Sequence, residues 1–168
     1  MTKTTETELL AAASVIGLVA GMRALAAPAI VGQFARRGGL DIERSYLGQI
    51  GHPTTANVLA ALSIGELIGD KLPIIPRRTK AFPLLARIVS GAFCGAVLCD
   101  SANRSSATGA LAGALGALGG TFGAYHLRKM ATQSLGFPDL AVAVAEDALA
   151  IGLGIFVTNS VAERQGAV

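Results

Sequence analysis

The chain has 168 residues, of which 52% are hydrophobic and only 15% charged, and its formal charge is +3. An average soluble domain carries roughly 25% charged residues, and one of this length must expose most of its polar groups. A water-soluble domain is therefore disfavoured, and a soluble all-helical protein is the minor alternative.

The apolar excess is mostly Ala, Gly, Leu and Val, with 5% aromatics and no Trp. That mix suits helices packed closely in lipid, where small residues let backbones approach. The basic balance does not point to nucleic acid. No basic run is interleaved with aromatics, and the lysines and arginines sit between apolar stretches, where they orient spans and meet lipid headgroups. Five apolar segments follow one another, at about 9–35, 53–72, 82–98, 107–125 and 138–161. Each is near the ~20 residues that cross ~30 Å of hydrocarbon as a helix, and open sheets cannot make that crossing. The expected fold is all-α: one polytopic membrane helix bundle of about five transmembrane helices over residues 1–168.

The first segment is preceded by Glu6 and Glu8 beside Lys3, and Arg23 interrupts its apolar run. It reads as a span rather than a signal peptide, although Ala24-Leu25-Ala26 resembles a cleavage site. Next, Ile42, Tyr46, Leu47 and Ile50 share one helical face, which fits a short interfacial helix or a solvated loop equally. Gly51-His52-Pro53, Ala81-Phe82-Pro83 and Gly136-Phe137-Pro138 open the second, third and fifth segments, since proline in a first turn costs no helical hydrogen bond. Alanines at 56 and 141 and at 60 and 145, with glycines at 69 and 154, align the second and fifth segments, as a weak internal repeat or by chance. The fourth carries a glycine ridge, Gly109, Gly113, Gly116, Gly120 and Gly123, expected to pack centrally, with a homo-oligomer contact as the alternative. Cys94 and Cys99 stand ~140° apart around a helix and so neither pair nor chelate zinc.

If every segment crosses once, one side holds Lys3, Lys71, Arg77, Arg78, Lys80, Arg128 and Lys129, and the other Arg36, Arg37, Arg44, Arg104 and Arg164. The positive-inside rule then places the N-terminus and the stretch 71–80 in the cytoplasm, for a protein of the inner (plasma) membrane, and the C-terminus outside.

Ionisable groups interrupt four segments: Arg23, then Glu66 and Asp70, then Arg87, then Glu146 and Asp147. Each costs about 2.5–3.5 kcal/mol at the middle of a spanning helix, so they should face protein, water or one another. Helical spacing agrees. Glu66 and Asp70 share a face with Gly65 and Gly69, Arg87 with Ser90 and Gly91, and Glu146 with Ala143 and Ala150. Two arrangements fit. One is a structural network, Arg87 with Glu66 and Arg23 with Glu146 or Asp147, that fixes helix register. The other is a pocket, lined by these six residues, for a proton or small charged solute. No Ser/His/Asp or Cys/His arrangement is evident, His52 and His126 stand alone, and the arginines argue against a divalent metal. Neither an enzyme nor a cofactor is indicated, and the expected partner is the lipid bilayer.

With these residues in view, the chain resembles a family of small, multi-pass, mostly bacterial membrane proteins known as a domain of unknown function (number four-one-two-six). The likeness rests on Gly21-Met22-Arg23, on Gly65-Glu66 followed by Asp70-Lys71-Leu72-Pro73, on Arg87 ahead of Gly91-Ala92, and on Glu146-Asp147-Ala148-Leu149. Some members carry an acidic residue soon after that proline, where Ile74, Ile75, Pro76 and Arg77 stand here. The resemblance implies a polytopic membrane fold and no established activity.

Overall fold

The structure is a computed structural model, and it describes residues 5–42, 45–69 and 81–166. Thr5 starts the first helix. Its hydroxyl oxygen accepts from the Glu8 N–H, while the Glu8 carboxylate accepts from the Thr5 N–H at 2.9 Å, so two orphan donors are satisfied reciprocally. Helix α1 runs over Glu6–Met22 and stops. Extended backbone at Arg23 (φ −139°, ψ 108°) separates it from α2, Ala26–Arg36. Pro28 supplies the reason. In a continuous helix residue 28 would donate to the Ala24 carbonyl, but proline has no N–H and its ring crowds that oxygen. The segment expected as one helix over 9–35 is therefore two.

The two halves run in opposite directions. Against α6 (Asp139–Gln165), α1 is antiparallel: Glu8 pairs with Arg164 at 2.7 Å, Ile16 lies beside Gly154, and Arg23 meets Asp147. Helix α2 is parallel to α6, with Ile30 against Gly154, Gly39 against Ala162, and the Asp41 N–H on the Gln165 side chain at 3.4 Å. The chain thus enters the bundle, reverses at Arg23–Leu25 and leaves by the end it entered. The expectation that the first segment crosses once is overturned, and with it the assignment of the two chain ends to opposite sides: α1 begins where α6 finishes.

At that end the 3₁₀ turn η1 (Tyr46–Gly51) is capped by the Ser45 hydroxyl, which accepts from the Leu47 N–H at 3.0 Å. Ile42 and Ile50 turn inward while Tyr46 is wholly exposed, so the face expected for these residues is split. Helix α3 (Pro53–Gly69) returns antiparallel to α2, tied by Gln33 to the Ala56 carbonyl at 3.1 Å and by Arg36 to Asn57 at 3.0 Å. Then follow α4 (Ala81–Ser101), α5 (Ser106–Lys129), a π-helical turn (Met130–Ser134) and α6. No strand occurs among the described residues.

The tightest packing joins α1, α4 and α5. A Cβ added at Gly113 would strike the Gly91 carbonyl, one at Gly109 the Gly95 carbonyl, and those at Gly116 and Gly120 the Ser14 and Leu18 carbonyls. The α5 glycines thus serve two neighbours through backbone contact, α4 on one side and α1 on the other. Gly123, grouped with them above, has nothing within 4 Å, and neither has Gly119.

Outside this core, large apolar side chains such as Ile64, Ile68, Phe82, Leu85, Leu115 and Phe156 point outward. By length and apolarity two of the described helices, 82–101 and 139–165, suffice to cross a membrane, fewer than the about five expected. The difference has local causes. Helix α1 ends after 17 residues at its break, and glycine dilutes the apolarity of α5.

Two outcomes follow. Glu8→Cys paired with Arg164→Cys should be joined by a short thiol-directed crosslinker, because Cys94 and Cys99 are buried. A continuous first helix would hold these positions at opposite ends, and no product would form. Gly113→Ala should lower the melting temperature in detergent by an overpacking cost of about 1–3 kcal/mol, whereas Gly119→Ala should leave it unchanged.

Candidate functional site

A helix break inside a protein strands backbone donors and acceptors, and each costs free energy until it finds a partner. Here side chains of three other helices supply the partners. The Glu66 carboxylate of α3 accepts from the Ala24 N–H at 2.9 Å through Oε1 and from the Leu25 N–H at 2.8 Å through Oε2. These donors lie at the start of α2, where the helix dipole also favours a negative charge. On the acceptor side, the Ser90 hydroxyl of α4 donates to the Ala24 carbonyl at 2.5 Å, the acceptor that Pro28 cannot serve. The Thr121 hydroxyl of α5 donates to the Gly21 carbonyl at 3.1 Å as well as to the Ala117 carbonyl of its own helix at 2.8 Å.

The Arg23 side chain leaves the break toward α6. It is 1% exposed, donates through Nε to Asp147 Oδ1 at 2.7 Å, and forms an ion pair with the same carboxylate through Nη2. The neighbouring Glu146 is also buried and faces Arg128, at 3.7 Å from Nη1. Arg128 holds Asp139 more closely, at 2.8 and 2.6 Å, and so clamps the end of α5 to the start of α6. Arg87 is buried on the α4 face that carries Ser90 and Gly91. At 1.5 Å per residue, Asp147 lies ~12 Å inside the start of α6, Thr121 ~12 Å before the end of α5, and Arg87 ~9 Å into α4. Break and charges share one level.

Of the six ionic residues singled out from the sequence, Arg23, Glu66, Glu146 and Asp147 come together around the break, and Arg87 lies at the same depth. Asp70 falls outside the described residues. The pairing differs from expectation in one respect: Glu66 gives its two oxygens to backbone N–H groups rather than to Arg87. Asp147, one of the partners considered for Arg23, lies at hydrogen-bond distance from it. Three contributors were not picked out as site residues. Ser90 was legible only as a neighbour of Arg87 on its face, and Thr121 stands as a lone hydroxyl within a run of glycines. Arg128 reads as an ordinary loop charge until Asp139 and Glu146 are folded against it. Among the described residues no group of three or more His, Cys, Asp and Glu side chains could hold a metal ion.

Such a site can bind charge in two ways. Two N–H donors at a helix start accept an anion, and a carboxylate already resting on them can be exchanged for another or relieved by a proton. Asp147→Asn should lower stability by about 3–5 kcal/mol, because it takes away a carboxylate charge that the buried Arg23 guanidinium holds at hydrogen-bond distance. Glu66→Gln, whose amide offers one acceptor oxygen for two donors, should cost about 1–3 kcal/mol. Thermal melting in detergent would show both, and an unchanged midpoint in either variant would refute the role given to that residue.

Comparison with known proteins finds one family, described as "Domain of unknown function (DUF4126)", whose model matches residues 10–160. No curated protein and no solved structure matches the chain.

Proposed function

We propose, for a chain that belongs to the DUF4126 family, that it is a multi-pass membrane protein whose helix break binds, and helps to move, a small charged solute or a proton. Four helices, α3 to α6, cross the bilayer in this reading, and α1–α2 form a hairpin that enters from one face and returns to it. The outward-facing apolar side chains support this arrangement, since contiguous apolar patches of that extent are rare on soluble monomers. The dense basic stretch 71–80, between α3 and α4, favours the cytoplasm for the end near the break. Both chain ends then lie on the opposite face of the inner membrane, which revises the cytoplasmic N-terminus anticipated from sequence.

One observation carries the functional reading: Glu66 occupies the N–H donors of a helix broken within the bundle. A bundle built for stability alone would keep that helix continuous and satisfy the same groups internally. Non-helical backbone at membrane depth persists where it is buried in protein or lines a cavity, and broken helices of this kind form ion and substrate sites in transporters. A proton on the Glu66 carboxyl would leave it one carbonyl acceptor for two N–H groups and free the other donor for an anion, so proton uptake and anion binding are natural partners at this site. Arg23, Arg87, Glu146 and Asp147 set the surrounding charge.

A second reading has its own support. The Arg23–Asp147 pair and the Glu66 cap satisfy one another without a ligand, as a structural or assembly subunit would require. Proteoliposomes that enclose a pH-sensitive dye separate the two. With acetate or phosphate gradients imposed, the wild-type chain should move protons with the anion. Glu66→Gln and Arg87→Gln, checked for folding by melting, should lose most of that flux. Wild-type flux in every folded variant would reject the transport reading, and a wild-type chain without flux would favour the structural one.

A further inference from the structure

Beside α2 lies an apolar groove of about 510 Å³, walled by α2, α3 and α4 and running from Gln49 and Ile50 at the η1 end to Leu25 and Ser90 at the break. Its walls include Pro28, Leu59, Val89 and Phe93. Along α4 its lining runs from Ala86 to Phe93, ~10 Å of helix, about a third of the ~30 Å thickness of the hydrocarbon core. Gln49 also lines a second cavity of about 520 Å³, whose mixed polar and apolar walls include Arg36, Asp41 and His52. An apolar trough therefore shares its Gln49 wall with a chamber that carries a cation, a second nitrogen base and a carboxylate.

We infer that this composite groove is a binding site for a zwitterionic phospholipid, with one acyl chain between α2 and α4 and the headgroup at Arg36, His52 and Asp41. The inference rests on the membrane placement proposed above and adds a ligand to it. Hydrocarbon is the only solvent available to the trough in a bilayer, and an acyl chain fills it without burying a polar group. The mouth chooses the headgroup. The Arg36 guanidinium and the His52 imidazole suit phosphate oxygens, whereas Asp41 suits an ammonium and disfavours a headgroup whose only charge is negative. A phosphate that carries an ammonium matches both walls, so phosphatidylethanolamine should be preferred over phosphatidylglycerol. The site also has a structural consequence. A lipid held there would brace the start of α2, just after the Ala24 and Leu25 N–H groups that rest on Glu66.

Native mass spectrometry of the full chain, extracted from bilayers of equal phosphatidylethanolamine and phosphatidylglycerol, tests this. One phosphatidylethanolamine should be retained per chain, several-fold above its share of the mixture. Ala86→Trp, which plugs the trough from its exposed wall, should abolish retention. Arg36→Gln should weaken it several-fold, and Asp41→Asn should remove the preference between the two headgroups. Leu115→Trp, on the outer face of α5, should change nothing. Because the chain has no native Trp, the fluorescence of each Trp variant reports its own folding. Membrane-extracted protein that keeps no lipid, or retention unchanged by Ala86→Trp, would overturn the lipid site alone. Recovery of the chain in the soluble fraction would instead overturn the membrane placement beneath it.

Discussion

A single carboxylate resting on two backbone N–H groups organises this protein. Glu66 comes from α3, yet its partners are Ala24 and Leu25, where the first helix has come apart. Pro28 interrupts the helical ladder there, and the full reversal is tolerated because other helices supply what the backbone has lost. Without an anion at the start of α2, two donors would be buried against apolar neighbours. Without the Ser90 and Thr121 hydroxyls, two carbonyls would be. The break is therefore a tertiary object, assembled from α3, α4 and α5, although its cause is local.

The same geometry explains where the ionic side chains go. Arg23 has extended backbone at the reversal, which frees its side chain to leave the α1 surface and reach Asp147 on α6. Its partner is fixed by the antiparallel register of α1 and α6, already set by Glu8 with Arg164 at one end and Ile16 against Gly154 in the middle. The close approach of α1, α4 and α5 at their glycines brings Ser90 and Thr121 near enough to serve the break. Removing a side chain at Gly91, Gly95, Gly109 and Gly113 is thus part of how polar groups elsewhere are satisfied. Packing and polar chemistry are one problem here.

An arrangement that stores a carboxylate on a helix start has a natural capacity for exchange. A proton or a competing anion acts directly on the contact that holds α2, so a change in ligation would be felt by the hairpin as a whole. The apolar trough beside α2 and the polar chamber at its mouth lie along the same element. In the proposed reading, chemistry at the break, lipid at the flank and the position of α2 would be coupled through a helix of only 11 residues.

Much was legible in the sequence. Long apolar segments without strand alternation marked an all-helical chain, and proline in first turns marked the helix starts at 53 and near 83. Periodicity placed Glu66, Arg87, Glu146 and Asp147 on small-residue faces, and the family was recognisable from those same residues. The reversal was not legible. Arg23 and Pro28 both stood in view, but an apolar run of 27 residues with a proline in it reads equally as one kinked helix or two. The decision rests on whether distant groups can satisfy the broken ends, and only the folded bundle holds that information. The partners of the charges were undecidable for a related reason: helical periodicity gives the face of a residue and its depth, whereas pairing depends on the direction in which neighbouring helices run. One reversal at residues 23–25 changes that direction for α2 and, with it, the side on which the chain begins.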